Sequence, residues 1–85
     1  MSTKTVEHES LNAAYRQAAI TPSDTVDFTD LCYAVYVGTG GDIVGVGQDG
    51  VASTFKAVPG GTTLIGPFTR INATSTTATD LVGYF

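Results

Sequence analysis

Tyr36 to Gly50, YVGTGGDIVGVGQDG, carries six glycines and two aspartates in fifteen residues, the composition of a loop that cradles phosphate. A dinucleotide fingerprint needs Gly-x-Gly-x-x-Gly between a strand and a helix, so that the pyrophosphate meets the helix N-terminus. Gly38-Thr39-Gly40 is followed by Ile43 where the third glycine belongs, and by a strand pattern where the helix belongs. No Gly-Lys-Ser/Thr occurs, and a calcium-binding nonapeptide array would need several copies of what is here one partial match. The glycines therefore read as structural, with Asp42 or Asp49 left to hold at most a weakly bound ion. His8 is the only histidine and has no metal-spaced partner, and Cys32 lies in an apolar run as a buried, inert thiol. Asp24, Asp27 and Asp30 alternate irregularly around a turn, in a chain with little room for the cleft that paired carboxylates serve. No catalytic residue, cofactor or metal follows from these patterns. Asn72-Ala73-Thr74 matches a glycosylation sequon that lacks a signal peptide to make it meaningful.

The chain has 85 residues, enough for one domain whose core is thin. Domains this small usually recruit disulfides, a metal or neighbouring subunits. With one cysteine and one histidine, oligomerisation is the remaining source of buried surface. Charge is sparse, 14% of residues, and the net charge is -4; a protein gripping a nucleic acid backbone should be basic and clustered. MSTKTVEHES has no apolar run of signal-peptide length and no stretch of the chain is long enough to span a bilayer. The expectation is a soluble chain made in the cytoplasm, binding neither nucleic acid nor membrane.

Composition shifts near residue 22. Before it, Leu11, Ala14, Tyr15, Ala18 and Ala19 recur in helical period after Ser10, a candidate N-cap, which predicts a short amphipathic helix or arm over 1–22. Thr21-Pro22-Ser23-Asp24 ends that pattern, because proline restricts its predecessor and Ser and Asp favour turns. The remainder, 23–85, reads as an all-β domain, a small antiparallel sandwich of jelly-roll or barrel type. Strands are expected near 26–28, 31–37, 43–48, 51–58, 62–65, 68–73 and 81–85. Asp49-Gly50 suits a two-residue type I′ turn, and Gly40-Gly41 suits the turn of a preceding hairpin. The resulting three-strand meander turns Tyr33, Val35, Val37, Val44, Val46, Ser53 and Phe55 toward the core. Its other face carries Cys32, Ala34, Tyr36, Ile43, Gly45, Gly47, Ala52, Thr54 and Lys56, bare enough at Gly45 and Gly47 for a neighbouring backbone to approach, with Tyr36 laid across a glycine. The ending DLVGYF, with Tyr84 and Phe85, predicts a terminus docked into a sheet, its own or a neighbour's.

ITPSDTVDF at 20–28, AVYVG at 34–38 and VPGGTTLIGPFTRINATSTTATDLVGYF at 58–85 together resemble the small head-spike base proteins of gene transfer agents and related tailed bacteriophages. The similarity spans roughly residues 11 to 85. It implies a β-sandwich without cofactor or turnover, an oligomer on the capsid surface of a virion assembled in the bacterial cytoplasm. Implied partners are further copies of the chain, as a pentamer or trimer, the major capsid protein and a spike fibre protein. Contact residues expected on these grounds are Leu11, Tyr15, Thr21, Pro22, Ser23, Asp24, Tyr36, Gly45, Gly47, Tyr84 and Phe85. An alternative from the residues alone is a small carbohydrate-binding module stacking sugars on Tyr33, Tyr36 or Tyr84; a small hydrolase would need a cleft with converging polar groups.

Overall fold

The structure, a computed structural model, describes residues 16–85. Seven strands form: β1 (Gln17–Ala19), β2 (Cys32–Thr39), β3 (Gly41–Val46), β4 (Ala52–Val58), β5 (Thr62–Phe68), β6 (Arg70–Ile71) and β7 (Thr79–Tyr84). All pairings are antiparallel, in a four-stranded sheet of order β1-β7-β2-β5 and a three-stranded sheet of order β4-β3-β6. No helix forms among the described residues, and so none there crosses a membrane.

The β3–β4 hairpin forms where expected, but its loop has three residues rather than two. Gly50 N–H closes a turn onto the Gly47 carbonyl, Gly47 N–H bonds the Val51 carbonyl, and Gly50 takes φ 82°. Val46 therefore faces Ala52, and Phe55 pairs with Ile43 instead of Val44. A one-residue change of register exchanges the faces of a strand. Ile43 and Gly45 consequently share the inner face with Phe55, and the expected grouping of Val44 and Val46 with Phe55 is corrected. Val44 and Val46 are buried, but outside the main core cluster.

The expected meander is also corrected, because β2 and β3 do not pair. The chain leaves one sheet after Thr39 and enters the other at Gly41, and β5 passes to β6 through Thr69 in the same way. Two long strands thus each serve both sheets, which is how a sandwich turns its corners. A bulge between Cys32 and Ala34 resets the phase of β2. Cys32, Val35 and Val37 lie in the core, whereas Tyr33, expected there, is half-buried and outside it.

Ala18 and Ala19, expected on a short helix or arm, lie in β1; Leu11, Ala14 and Tyr15 lie outside the described residues. Strand β1 alternates, with Ala18 and Ile20 packed on the core and Gln17 and Ala19 exposed. An unpaired edge of β7 outweighs the helix propensity of alanine, which is high in rank but small per residue, since each residue laid there satisfies backbone donors and acceptors. Beyond β1 the ladder continues, with Arg16 and Phe85 exchanging both backbone bonds at 3.1 and 2.8 Å. The C-terminal strand is accordingly docked between β1 and β2 of its own sheet. No strand forms at 26–28; the segment before β2 runs beside β6, with Ser23 N–H donating to the Ile71 carbonyl at 2.9 Å and Phe28 N–H to the carbonyl of Thr69, just before β6, at 2.8 Å.

The sheets meet at Gly45. A β-carbon there would lie 2.6 and 2.8 Å from Cε1 and Cδ1 of Phe68, whose ring stands edge-on to Phe55, with centroids 6.0 Å apart. Gly47 differs, for its nearest neighbour would be the Asp49 carboxylate at 3.0 Å, the end of a movable side chain. Gly45→Ala should cost about 1–3 kcal/mol through overpacking, and Gly47→Ala should stay within about 1 kcal/mol; urea unfolding of both variants checks the difference.

Candidate interaction surfaces

Two regions of the surface are built by segments that the sequence singled out. The first joins the turn at 21–24 to the loop 73–79. Asp24 caps that loop: Oδ1 accepts the backbone N–H groups of Ala73 and Thr74, both at 2.9 Å, and Oδ2 accepts the Thr74 hydroxyl at 2.6 Å. These bonds, the hydroxyl first, hold the Asp24 carboxyl below its ordinary value. Ser23 turns the chain just before, its Oγ accepting Thr25 and Val26 N–H.

The same loop is stitched to the start of β3 where β6 runs out after two residues. Thr76 and Thr77 hydroxyls accept the N–H groups of Val44 and Asp42, at 3.0 and 2.9 Å, and the Asp42 carbonyl accepts Thr77 and Ala78 N–H. The run TSTTAT therefore replaces ladder bonds with side-chain bonds. The Asp42 carboxylate serves the other neighbour of β3, accepting Ala57 N–H at 2.8 Å with Lys56 Nζ 3.6 Å away. Ala57 has φ 52°, at a register shift between β3 and β4. That backbone bond, ahead of the Lys56 charge, lowers the Asp42 pKa. Asp49 accepts Val51 N–H across its turn. Both aspartates of the glycine-rich stretch are thus engaged by backbone, and no group of three metal-ligating side chains occurs among the described residues.

Between the two segments lies an open pocket of about 300 Å³. Ile20, Pro22, Ala78 and Leu81 supply its apolar walls, and Thr76, Thr79 and Asp80 its polar ones.

The second region is the outer face of the four-stranded sheet. Register places Ile65, Ala34, Tyr84 and Gln17 in one cross-strand row, and Thr63, Tyr36, Val82 and Ala19 in the next. None of the eight carries a charge. Ile65 is 60% exposed and Tyr36 37%. Ala34 is fully covered, Gln17 and Thr63 add polar groups, and in the next row Gly38 stands opposite Asp80, so Ile65 and Tyr36 form an exposed apolar patch within a mixed face.

Of the anticipated contact residues, Tyr36 and Tyr84 share this outer face, and Thr21, Pro22, Ser23 and Asp24 form the capped turn. Gly45 is buried and covered by Phe68 of its own chain, so it is not a bare surface awaiting a neighbour. Gly47 sits half-buried at the end of the hairpin. Phe85 is in the core, edge-on to Phe28 at 5.2 Å, with the Arg16 guanidinium 4.7 Å above its ring. Leu11 and Tyr15 lie outside the described residues. Cys32 is fully buried and donates to the Ala34 carbonyl at 3.2 Å; burial pushes its thiol pKa up, as an unreactive cysteine requires. Sequence reading passed over Ile65 and Asp80. Ile65 was detectable, since adjacent Leu64 and Ile65 in a strand cannot both face inward.

A scan against protein families matches none, and no curated protein matches the chain. Among solved structures, the chain is similar to one from the capsid of a native GTA particle computed with C5 symmetry. The two are 35% identical, the match covers 93% of this chain and 92% of that one, and the TM-score is 0.80.

Because its folded-state pKa lies below the ordinary 3.8, Asp24 stabilises the fold above that value, and the contribution fades as pH falls toward the native pKa. Thermal melts of wild type and Asp24→Asn should differ clearly above about pH 4 and converge below it.

Proposed function

Because the chain belongs to the family of that GTA capsid chain, we propose that it is a structural virion protein of the capsid surface, a head-spike base or decoration. The carrying observation is the match itself, over nearly the whole of both chains at 35% identity. Its role is architectural and not enzymatic: to sit on the major capsid protein and to present a spike fibre or brace the shell. The molecule assembles as a ring of identical copies in the bacterial cytoplasm. C5 symmetry in the neighbour's particle favours five copies over three, since a closed ring must match the vertex it occupies.

In this reading the apolar patch around Ile65 and Tyr36, on the outer face of the four-stranded sheet, contacts the next copy, and residues 1–15, including Leu11 and Tyr15, reach the capsid or a neighbour. A second reading, glycan binding at the host surface, has one observation in its favour: Tyr36 and Tyr84 share an exposed sheet face, as a stacking platform requires. It predicts saturable binding on a glycan array that Tyr36→Ala abolishes.

Native mass spectrometry should report an oligomer for the wild type. Ile65→Lys, a substitution at an exposed position, should leave folding stability within about 0.5 kcal/mol yet weaken self-association by about tenfold or more. A monomer for both chains would count against the ring. Deleting residues 1–15 keeps β1 and should leave the melting temperature unchanged while abolishing retention on purified capsids; particles that still hold the truncated chain would sink the proposed role of the arm.

A further inference from the structure

We infer that the pocket between Pro22 and Asp80 receives a lysine or arginine side chain from a basic segment of a neighbouring protein. Charge bookkeeping over the described residues isolates one carboxylate. Arg16, Lys56 and Arg70 pair with Asp30, Asp42 and Asp27. Asp24 is engaged by three bonds from the loop it caps, and Asp49 by its own turn. Asp80 takes one neutral bond, from the Thr39 hydroxyl to Oδ2 at 2.9 Å, and no described cation pairs with it.

Asp80 lines the pocket on a strained stretch of backbone. Asp80 has φ 57°, a left-handed conformation costly for a residue with a β-carbon. It is accommodated by Gly38 on the paired strand, where a β-carbon would meet the Asp80 Cβ and carbonyl oxygen at 2.6 Å. Beside it, Ile20, Pro22 and Leu81 form an apolar wall, with Thr79 adding a hydroxyl. An apolar stem ending in a cation matches that order of surfaces: methylenes lie on the wall while the charge meets Asp80. A chain of net charge -4 favours a basic partner by the same sign. The neighbour's identity as a virion protein rests on the function proposed above; the chemistry of the pocket does not.

The test uses the full chain, labelled with ¹⁵N, titrated with an acetylated Gly–Lys–Gly amide and with the uncharged norleucine peptide, which keeps the methylene stem and lacks the ammonium. The lysine peptide should shift the amides of Thr76, Thr79 and Leu81 saturably. Binding should fall about fivefold for norleucine, and by the same factor for lysine in Asp80→Asn, the scale of an exposed charge pair. Asparagine keeps the acceptor for Thr39 and tolerates the left-handed backbone, so the variant folds; its undisturbed spectrum outside the pocket verifies this. Added salt should weaken lysine binding to the wild type alone. Equal binding of the two peptides, lysine binding that Asp80→Asn leaves unchanged, or no saturable shift would overturn the inference. Retention on capsids is read separately: wild type that fails to attach refutes the capsid role and leaves the peptide result standing.

Discussion

The ring of Phe68, at the end of β5, rests on the bare backbone of Gly45 in β3. Any side chain at Gly45 would collide with that ring, where the two sheets meet. A comparable arrangement occurs within the larger sheet, where a β-carbon on Gly83 would meet the Phe85 ring at 2.6 Å and Ile20 Cδ1 at 3.0 Å. A domain of this size has few large side chains to spend on its interior, and laying aromatic rings on glycines brings sheets close with few residues. Phe55 and Phe28 then meet those rings edge-on, so four phenylalanines close both ends of the core.

Around that core the ladders are short, and side chains finish what backbone pairing leaves incomplete. Strand β6 has only two residues, and Thr76 and Thr77 take up the N–H groups of β3 beyond it. Asp24 and Asp42 each bind backbone N–H groups of a segment remote in sequence. Such bonds matter more here than the ion pairs, which involve exposed partners and contribute little individually. Most charge in the described domain lies at turns and strand ends, and the rows around Ile65 and Tyr36 carry none, with Asp80 opposite Gly38 in the row beyond.

That division separates the two surfaces by chemistry. The outer face suits a like surface of another copy, where desolvating charge would oppose association. The pocket beside Asp80 keeps one carboxylate at an apolar wall and suits an unlike partner.

Much was legible in the residues themselves. Alternation of β-branched and aromatic residues between glycine-rich turns specified an all-β sandwich and six of its strand regions, because side-chain period and turn chemistry are local properties. The failure of the phosphate motifs was equally local. Facing was not: the addition of Gln48 to the expected Asp49-Gly50 loop moved Ile43 and Gly45 to the inside and removed Gly45 from the surface. Pairing was not legible either, since β2 and β3 adjoin in sequence yet belong to different sheets, and alanines with a helical rhythm became β1 only because β7 offered an open edge. Asp80 became a candidate through the absence of a described cation paired with it, which only folding decides. The sequence by itself determined which elements form, because propensity acts within a few residues; the tertiary structure decided which face each presents and what meets it, because those depend on register and on partners distant along the chain.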